Sequence, residues 1–458
     1  SEQVRHPGRK KTLHPTQIVV MAFGAAVVVG TIFLLFPFST APGNSTDFVT
    51  AFFTAVSAVC ITGLTVVDTG THWSGFGQVV ILFLIQLGGL GIVSFATLVG
   101  LLISGRISLR DRLNTLSEAK IIGIDNVPAL LRTILLVYFG FEVALAIYLI
   151  SRLRITYDES MGDALWNGIF HAVSAFNNGG FSLYSDSMAS FSQDLFVIAP
   201  VAIAVIVGGL GFPVLIELHE RLWGLSKRQN GKPRRFSLHT RVTLAATIVL
   251  LTLGSIFIGV MEWNNPKTLG GMNILEKLWN AGFMSAMPRS GGFSSLEVGD
   301  MDPATWLGLD FMMFIGGGSA STAGGIKVTT IAILFFIIYT EVRGETAVNV
   351  GNRRLPRSIQ RQALTLVSLY AMLIIFSTMF LAATTDFSLD ELLFDVISAA
   401  ATVGLSTGIT PDLPDFAKVW LAILMFVGRL GPVVIASALA LRVTRRHYEL
   451  PKERPLIG

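Results

Sequence analysis

Four short segments of this chain close in nearly the same way, and their closing glycines recur at almost equal intervals. The intervals between these glycines are 117, 112 and 112 residues. Regular recurrence of this kind indicates a structural unit that is repeated four times along the chain. Four equivalent glycines therefore predict a pore on a pseudo-fourfold axis. The segments read Ala58-Val-Cys-Ile-Thr-Gly63-Leu-Thr, Ala175-Phe-Asn-Asn-Gly-Gly180-Phe-Ser, Met287-Pro-Arg-Ser-Gly-Gly292-Phe-Ser and Ala399-Ala-Ala-Thr-Val-Gly404-Leu-Ser.

The composition places this unit in a membrane. Hydrophobic residues make up 52% of the 458 residues, charged residues only 14%, and the mean hydropathy is +0.64. A soluble chain of this length carries more charge. Apolar runs reach or approach the roughly 20 residues that cross a bilayer core. Eight runs are candidate spans: 18–36, 79–102, 134–150, 195–216, 242–260, 306–339, 364–383 and 419–441.

We expect one all-α, polytopic membrane unit with four membrane-pore-membrane repeats, eight full spans and four re-entrant pore helices. The polar stretches between the runs reach only about 20 to 30 residues, which is too short for a separate soluble domain. Any nucleotide-sensing domain would therefore belong to a partner. The predicted repeats cover residues 1–110, 111–235, 236–350 and 351–458.

Basic residues concentrate in alternate connections, which predicts that both termini are cytoplasmic under the positive-inside rule. The net charge of +4 follows from this asymmetry, so nucleic-acid binding is a poor explanation of the pI of 9.2. The opposite side carries the glycine segments and scattered acids, most of which we interpret as loop and helix-cap residues. The basic groups are Arg5, Arg9, Lys10, Lys11, Arg106, Arg110, Arg112, Lys120, residues 221–241 and 343–361, Arg442, Arg445 and Arg446.

About a dozen residues with helical patterning precede each closing glycine, too few to span a bilayer and consistent with a re-entrant helix. Equivalent positions recur here too: six residues before the glycines stand Ser57, Ser174, Ala286 and Ser398. A half-helix of this kind points the negative end of its dipole toward the membrane centre. The pattern therefore favours a cation over an anion.

Glycine suits a backbone that takes left-handed geometry or approaches a ligand closely. Carbonyl groups from four such segments can replace the hydration shell of a monovalent cation. The alternative is that the glycine-rich turns only allow close helix packing. Four turns in register favour a selectivity filter for a monovalent cation, made of Ile61, Thr62, Gly63, Asn178, Gly179, Gly180, Ser290, Gly291, Gly292, Thr402, Val403 and Gly404.

The sixth run contains Gly316-Gly-Gly-Ser-Ala-Ser-Thr-Ala-Gly-Gly-Ile-Lys327 near its middle. So many glycines and small polar residues predict two half-helices joined by a loop, which must line a cavity or be buried in protein. The motif fails as a phosphate-binding loop because Ile326 separates Gly325 from Lys327 and no strand leads into it. We predict a gate formed by Gly316, Gly317, Gly318, Ser319, Thr322, Gly324, Gly325 and Arg429.

Arg429 belongs to this gate because charges inside a membrane are costly and usually functional. We predict that it faces the pore, contacts the glycine-rich loop and adds an electrostatic barrier. The alternative roles are a structural salt bridge or the capping of backbone carbonyl groups.

These features together resemble the Trk/Ktr/HKT superfamily of cation transporters over nearly the whole chain. The resemblance rests on the segments around Gly63, Gly180, Gly292 and Gly404, on the Gly316–Lys327 loop and on Gly428-Arg429. It is closest to the Ktr-type bacterial membrane subunit, because the first run starts almost at the N-terminus.

The resemblance implies potassium uptake down its electrochemical gradient across the bacterial inner (plasma) membrane. It also implies a homodimer of pores on a cytosolic ring of nucleotide-binding subunits, and frequently activation by sodium. The gating loop of the family corresponds to Gly316 through Gly325, its pore arginine to Arg429, and Gly63 matches the potassium-selective pattern. The chain itself is expected to hold no cofactor, and residues of a sodium site cannot be assigned.

Other functions remain open at this stage. A sodium- or proton-coupled symporter also uses broken helices, although it usually has inverted repeats. A membrane scaffold would not need four glycine-ended helices. We find no nucleophile, base and orienting group that would indicate an enzyme.

Two further polar residues need a role, one in the second short helix and one in an apolar run. His171 is expected to be packed and hydrogen-bonded rather than a metal ligand, because no cysteine or second histidine shares its helical spacing. Glu142 is a candidate ion-site or salt-bridge residue, although the sequence identifies no partner for it.

Overall fold

The computed structural model describes residues 15–105, 127–222, 236–350 and 353–441, which are helical over most of their length. The basic residues before position 15, between 106 and 126 and after 441 lie outside the described residues. Two antiparallel strands of two residues each, Asn349–Val350 and Arg353–Arg354, pair with each other. The helices are α1 (Pro15–Leu34), α2 (Phe48–Val59), α3 (Thr69–His72), α4 (Gly75–Gly105), α5 (Val127–Thr156), α6 (Met161–Phe176), α7 (Leu195–Leu210), α8 (Phe212–Leu222), α9 (Leu238–Glu262), α10 (Ile274–Ala286), α11 (Pro303–Phe314), α12 (Val328–Val342), α13 (Arg357–Thr384), α14 (Leu389–Ala400) and α15 (Asp415–Leu441).

Five of the described helices are long and apolar enough to cross a membrane, namely α1, α4, α5, α9 and α13. The bent pair α7 and α8 raises this number to six if it counts as one span. Large apolar side chains cover the outer faces of these helices, as Ile147 (61% exposed) and Met379 (65% exposed) illustrate. Such a surface is suited to lipid rather than to water. The count of eight spans stays a prediction.

The four predicted short helices are present as α2, α6, α10 and α14, with 12, 16, 13 and 12 residues. Two of them begin with reciprocal capping boxes, Asn273 with Glu276 and Ser388 with Glu391, which satisfy free backbone N–H groups. Their last turns are almost fully buried. Each short helix therefore ends inside the protein, directly before its glycine segment.

The predicted break in the sixth apolar run is confirmed. Helix α11 ends at Phe314, helix α12 begins at Val328, and the 315–327 loop joins them. Ile315 and Ile326 form a parallel bridge that closes the base of this loop. Most of the loop is buried, so its irregular backbone is covered by protein.

The fourth apolar run, 195–216, is not one continuous helix. Helices α7 and α8 meet at Gly211 with a bend of 108°. Gly211 has φ +97°, and a β-carbon on it would lie 2.3 Å from the carbonyl oxygen of Ser319. The bend therefore needs glycine for both its backbone conformation and its contact with the 315–327 loop.

Candidate functional site

The four glycine segments share one backbone conformation. In each segment the closing glycine and the residue two positions before it both have positive φ, a region that side chains other than glycine rarely enter. The φ values are +88°, +69°, +76° and +98° for Gly63, Gly180, Gly292 and Gly404, and 47°, 58°, 78° and 51° for Ile61, Asn178, Ser290 and Thr402. The sequence repeat is therefore also a repeat of local structure.

The closing glycines meet one another in a ring. A β-carbon on Gly63 would lie 2.9 Å from the Cα atom of Gly180, and one on Gly180 would lie 2.9 Å from the Cα atom of Gly292. The ring closes because a β-carbon on Gly404 would lie 3.2 Å from both the Cα atom of Gly292 and the carbonyl carbon of Gly63. No side chain fits at any of these four positions.

Backbone oxygen atoms from the preceding residues face this ring. A β-carbon on Gly63 would lie 2.6 Å from the carbonyl oxygen of Gly179, and one on Gly404 would lie 2.2 Å from that of Thr62. The carbonyl oxygen atoms of Gly291 and Val403 approach neighbouring glycines in the same way. A narrow ring of carbonyl oxygen atoms can take the place of the water around a monovalent cation.

Serine side chains hold three of the segments in shape. Ser57 Oγ donates to the carbonyl oxygen of Leu64 at 2.7 Å and accepts from the amide of Gly63 at 3.1 Å. Ser174 Oγ donates to the carbonyl oxygen of Phe181 at 2.8 Å, and Ser398 Oγ accepts from the amide of Gly404 at 3.1 Å. The recurring serine therefore satisfies buried backbone groups next to the closing glycine.

The 315–327 loop packs directly against the bend between α7 and α8. The amide of Gly318 donates to the carbonyl oxygen of Gly209 at 2.7 Å, and the amide of Phe212 donates to that of Ala320 at 3.0 Å. Glycines make this contact possible, since a β-carbon on Gly318 would lie 2.1 Å from the carbonyl oxygen of Leu210. The loop is thus fixed by backbone groups on both sides.

The structure brings Arg429 to this loop. The side chain is 2% exposed, and its Nη1 atom donates a hydrogen bond to the carbonyl oxygen of Thr322. Its Nε and Nη2 atoms have no hydrogen-bond partner in the described part of the chain. Lys327, a half-buried cation, donates from Nζ to the carbonyl oxygen of Ala323 at 2.5 Å. Both cations therefore bind backbone carbonyl groups of the loop.

The loop also reaches the ends of two short helices. Thr322 Oγ1 donates to the carbonyl oxygen of Phe176, the last residue of α6, at 3.4 Å. A β-carbon on Gly324 would lie 2.9 Å from the carbonyl oxygen of Ala401, just after α14. The amide of Gly324 donates to Ser290 Oγ at 3.1 Å. The sequence-predicted filter and gate residues are therefore in direct contact.

Glu142 has partners that the sequence could not identify. Its Oε1 atom accepts from Asn177 Nδ2 at 2.7 Å, and its Oε2 atom accepts from Gln86 Nε2 at 3.2 Å. These partners are amides, so the hydrogen bonds described for Glu142 are not salt bridges. Asn177 lies within the second glycine segment, and Glu142 therefore supports that segment from α5.

Three buried charged residues near the site were missed by sequence reasoning. Arg289 precedes Ser290, is 8% exposed and lines a cavity of about 10 Å³ beside Gly209 and Gly317. Asp310 on α11 has a buried Oδ1 atom without a partner within the described ranges. Asp395 on α14 accepts from Thr410 Oγ1 at 2.5 Å. The available signal was a charge inside an apolar or buried helical pattern.

His171 is packed and hydrogen-bonded, as the sequence predicted. Its Nδ1 atom lies 2.7 Å from the carbonyl oxygen of Asn167, and its Nε2 atom lies 2.9 Å from Ser182 Oγ. The imidazole therefore links α6 to the end of the second glycine segment.

Comparison with known proteins gives a consistent result. A family model described as "Cation transport protein" (TrkH) matches residues 4–445. Ktr system potassium uptake protein B of Bacillus subtilis (strain 168) is 36% identical over 93% of this chain and 93% of its own length. Potassium/sodium uptake protein NtpJ of Enterococcus hirae is 33% identical over 98% of both chains. The crystal structure of the potassium transporter TrkH from Vibrio parahaemolyticus superposes with a TM-score of 0.73 at 20% identity, covering 96% of this chain and 86% of that one.

Proposed function

Because this chain belongs to the TrkH family of cation transport proteins and is similar to Ktr-type subunits, we propose that it carries potassium across a membrane through the ring of glycine segments. The family consists of transport proteins, which agrees with the sequence-based prediction that the chain is not an enzyme. The family resemblance inferred from the sequence is likewise confirmed.

The ring formed by Gly63, Gly180, Gly292 and Gly404 is the observation that carries this proposal. Four segments more than 100 residues apart in sequence present backbone oxygen atoms to one small region. A packing role alone would not require the same pair of positive φ values in all four. We propose that residues 61–63, 178–180, 290–292 and 402–404 form the selectivity filter.

The proposed architecture has four membrane-pore-membrane repeats with the boundaries predicted from the sequence. The short helices α2, α6, α10 and α14 are its re-entrant pore helices, and the bent and interrupted helices complete eight spans. The C-terminal ends of the four short helices carry partial negative charge and favour a cation at the ring. The supporting observation is that each short helix ends at its glycine segment with buried last turns.

The 315–327 loop is the proposed gate. It lies against the ends of α6 and α14, and Arg429 is bonded to it. A positive charge in this buried position opposes the passage of a cation. Opening would then require the loop and Arg429 to move away from the ion path.

The remaining proposals rest on the family resemblance. They are a homodimer of pores, a cytosolic nucleotide-binding regulatory ring, activation by sodium, and a place in the bacterial inner membrane with both termini cytoplasmic. The name of the Enterococcus hirae relative includes sodium. Most of the basic residues that set the predicted orientation lie outside the described residues.

Fluorescence-detected cation flux into liposomes that contain the purified chain tests the proposed function. We expect flux in potassium and rubidium gradients to exceed flux in sodium and lithium gradients. Gly292→Ser should weaken this preference, because a β-carbon on Gly292 would lie 2.5 Å from the carbonyl oxygen of Val403. The matched control is Gly271→Ser, since no heavy atom of the described residues, apart from Gly271 and its chain neighbours, lies within 4 Å of that β-carbon position. No flux, or equal ion preference in Gly292→Ser and the parent, would contradict the proposal.

A cation-coupled potassium symporter is the second candidate. The bend at Gly211 and the loop between α11 and α12 are interruptions in apolar helices, a feature that coupled transporters also use around their binding sites. Potassium flux driven by a potassium gradient alone favours the channel-like pore. Flux that requires a simultaneous sodium or proton gradient favours the symporter.

A further inference from the structure

The hydroxyl group of Ser290 lies where the third glycine segment, the fourth glycine segment and the 315–327 loop meet. Its Oγ atom accepts from the amide of Gly324 in the loop at 3.1 Å. The same atom donates to the carbonyl oxygen of Thr402 in the fourth segment at 2.6 Å. Ser290 is fully buried, so water does not compete for either bond. One hydroxyl group thus connects the loop to two sides of the ring.

The third segment differs from the other three in how it is held. Ala286 stands at the position where Ser57, Ser174 and Ser398 bond their own segments, and alanine cannot make these bonds. The amide of Gly292 donates instead to the carbonyl oxygen of Met287 at 3.4 Å, whereas the amides of Gly63 and Gly404 donate to serine Oγ atoms at 3.1 Å. The φ of Ser290, 78°, is also the largest of the four equivalent values. The third segment therefore depends more on contacts from outside itself.

The loop cannot shift without disturbing this contact. A β-carbon on Gly324 would lie 1.8 Å from Thr402 Oγ1, so the loop backbone lies directly against the fourth segment. A hydroxyl group has one proton to donate and lone pairs to accept with. The Gly324 amide donates to a lone pair of Ser290 Oγ. This bond strengthens the one that the Ser290 hydroxyl donates to the Thr402 carbonyl oxygen, because hydrogen bonds in a chain strengthen one another.

We propose that Ser290 is a positioning residue that couples the 315–327 loop to the ion preference of the ring. With the loop in place, Ser290 fixes the Thr402 carbonyl and keeps the third and fourth segments in register. When the loop moves away, the bond from Gly324 is lost and the hydroxyl is free to turn from Thr402. Ion preference then falls as the gate opens. This inference rests on the proposed function.

The test compares the ratio of potassium to sodium flux in liposomes for the parent, Ser290→Ala and Ser290→Thr. Loss of a buried hydrogen bond should lower the ratio by about fivefold in Ser290→Ala. Ser290→Thr keeps the hydroxyl and should stay within about twofold of the parent. The matched control is Ser285→Ala, since Ser285 is also fully buried but donates to the carbonyl oxygen of Leu251, away from the ring. This control should leave the ratio unchanged.

The Arg429→Ala background distinguishes coupling through the loop from a purely structural role of Ser290. Because this variant releases the loop, adding Ser290→Ala to it should cause no further fall in the ratio. An equal fall in both backgrounds would overturn the coupling, as would a parent-like ratio in Ser290→Ala. If Ser290→Ala does not fold, Ser290→Cys replaces it, because a thiol keeps the volume but bonds weakly. A parent that conducts no ion would overturn the proposed function and this inference with it.

Discussion

Arg429 donates a hydrogen bond from Nη1 to the carbonyl oxygen of Thr322, which joins the middle of α15 to the 315–327 loop. The bond satisfies a carbonyl group on irregular backbone, which is required where a membrane protein lacks water. Carbonyl capping and an electrostatic barrier are therefore compatible roles for this one side chain. Its unbonded Nε and Nη2 atoms leave part of the charge without a counter-group among the described residues.

Removal of Arg429 should open the gate. We expect Arg429→Ala to raise potassium flux about tenfold, equal to about 1.4 kcal/mol in the barrier. Arg429→Lys keeps the charge, whereas Arg429→Gln keeps an N–H donor without the charge. A larger increase in Arg429→Gln than in Arg429→Lys would show that the charge dominates. Liposome flux measured at equal protein density gives the comparison, and unchanged flux in Arg429→Ala would contradict the gate.

Two glycines in the loop after α14 allow the effect of steric crowding to be distinguished from the effect of backbone strain. Gly404 and Gly408 have φ of +98° and +103°, but only Gly404 is crowded, with the carbonyl oxygen of Thr62 at 2.2 Å from a β-carbon. Around that position on Gly408, the part of the chain that the structure describes places no heavy atom within 4 Å other than those of Gly408 and its chain neighbours. In both alanine variants the strain of a positive φ should lower the free energy of unfolding by about 1 to 2 kcal/mol. Only Gly404→Ala should change the ratio of potassium to sodium flux, and a similar change in Gly408→Ala would refute this assignment.

Glu142 should stabilise the second glycine segment through Asn177. Glu142→Gln leaves one acceptor oxygen for the amide donors of Asn177 and Gln86, so one of these donors loses its hydrogen bond to residue 142. The expected cost is about 1 to 3 kcal/mol. It should appear as a lower midpoint of thermal unfolding in detergent, with the exposed Glu341→Gln as control. Equal midpoints for the two variants would exclude a supporting role.

His72 should make stability depend on pH. Partial burial lowers the pKa of His72 below its ordinary 6.5, although the Asp47 carboxylate opposes this shift. Because the folded state favours the neutral ring, its contribution is complete above pH 6.5 and decreases as the pH falls through the lower folded pKa. The midpoint temperature of unfolding should therefore decrease as the pH is lowered from about 7 to about 5.

His72→Gln should reduce this pH dependence, because glutamine does not titrate in this range. The neutral side chain can still pair with Thr46, whose Oγ1 atom lies 2.8 Å from His72 Nε2. His219→Gln, at an exposed histidine, serves as the control. Identical pH profiles in the parent and His72→Gln would rule out this contribution.

The sequence by itself determined the local structure and the inventory of special residues. Helical patterning and small residues established the short helices and the break between Phe314 and Val328, because both depend on neighbours in the chain. The near-equal intervals indicated four equivalent glycines. Arg429 stood out because a charge in an apolar run is costly. These features require no knowledge of distant contacts.

Only the tertiary structure decided how these parts meet. The contacts among the four closing glycines, the contact of Gly211 with Ser319 and the amide partners of Glu142 join residues far apart in the sequence. Such contacts depend on the mutual fit of packed surfaces, which one sequence does not encode as a visible pattern. The two hydrogen bonds of Ser290, with Gly324 and with Thr402, are the clearest case, since a buried serine has many possible partners.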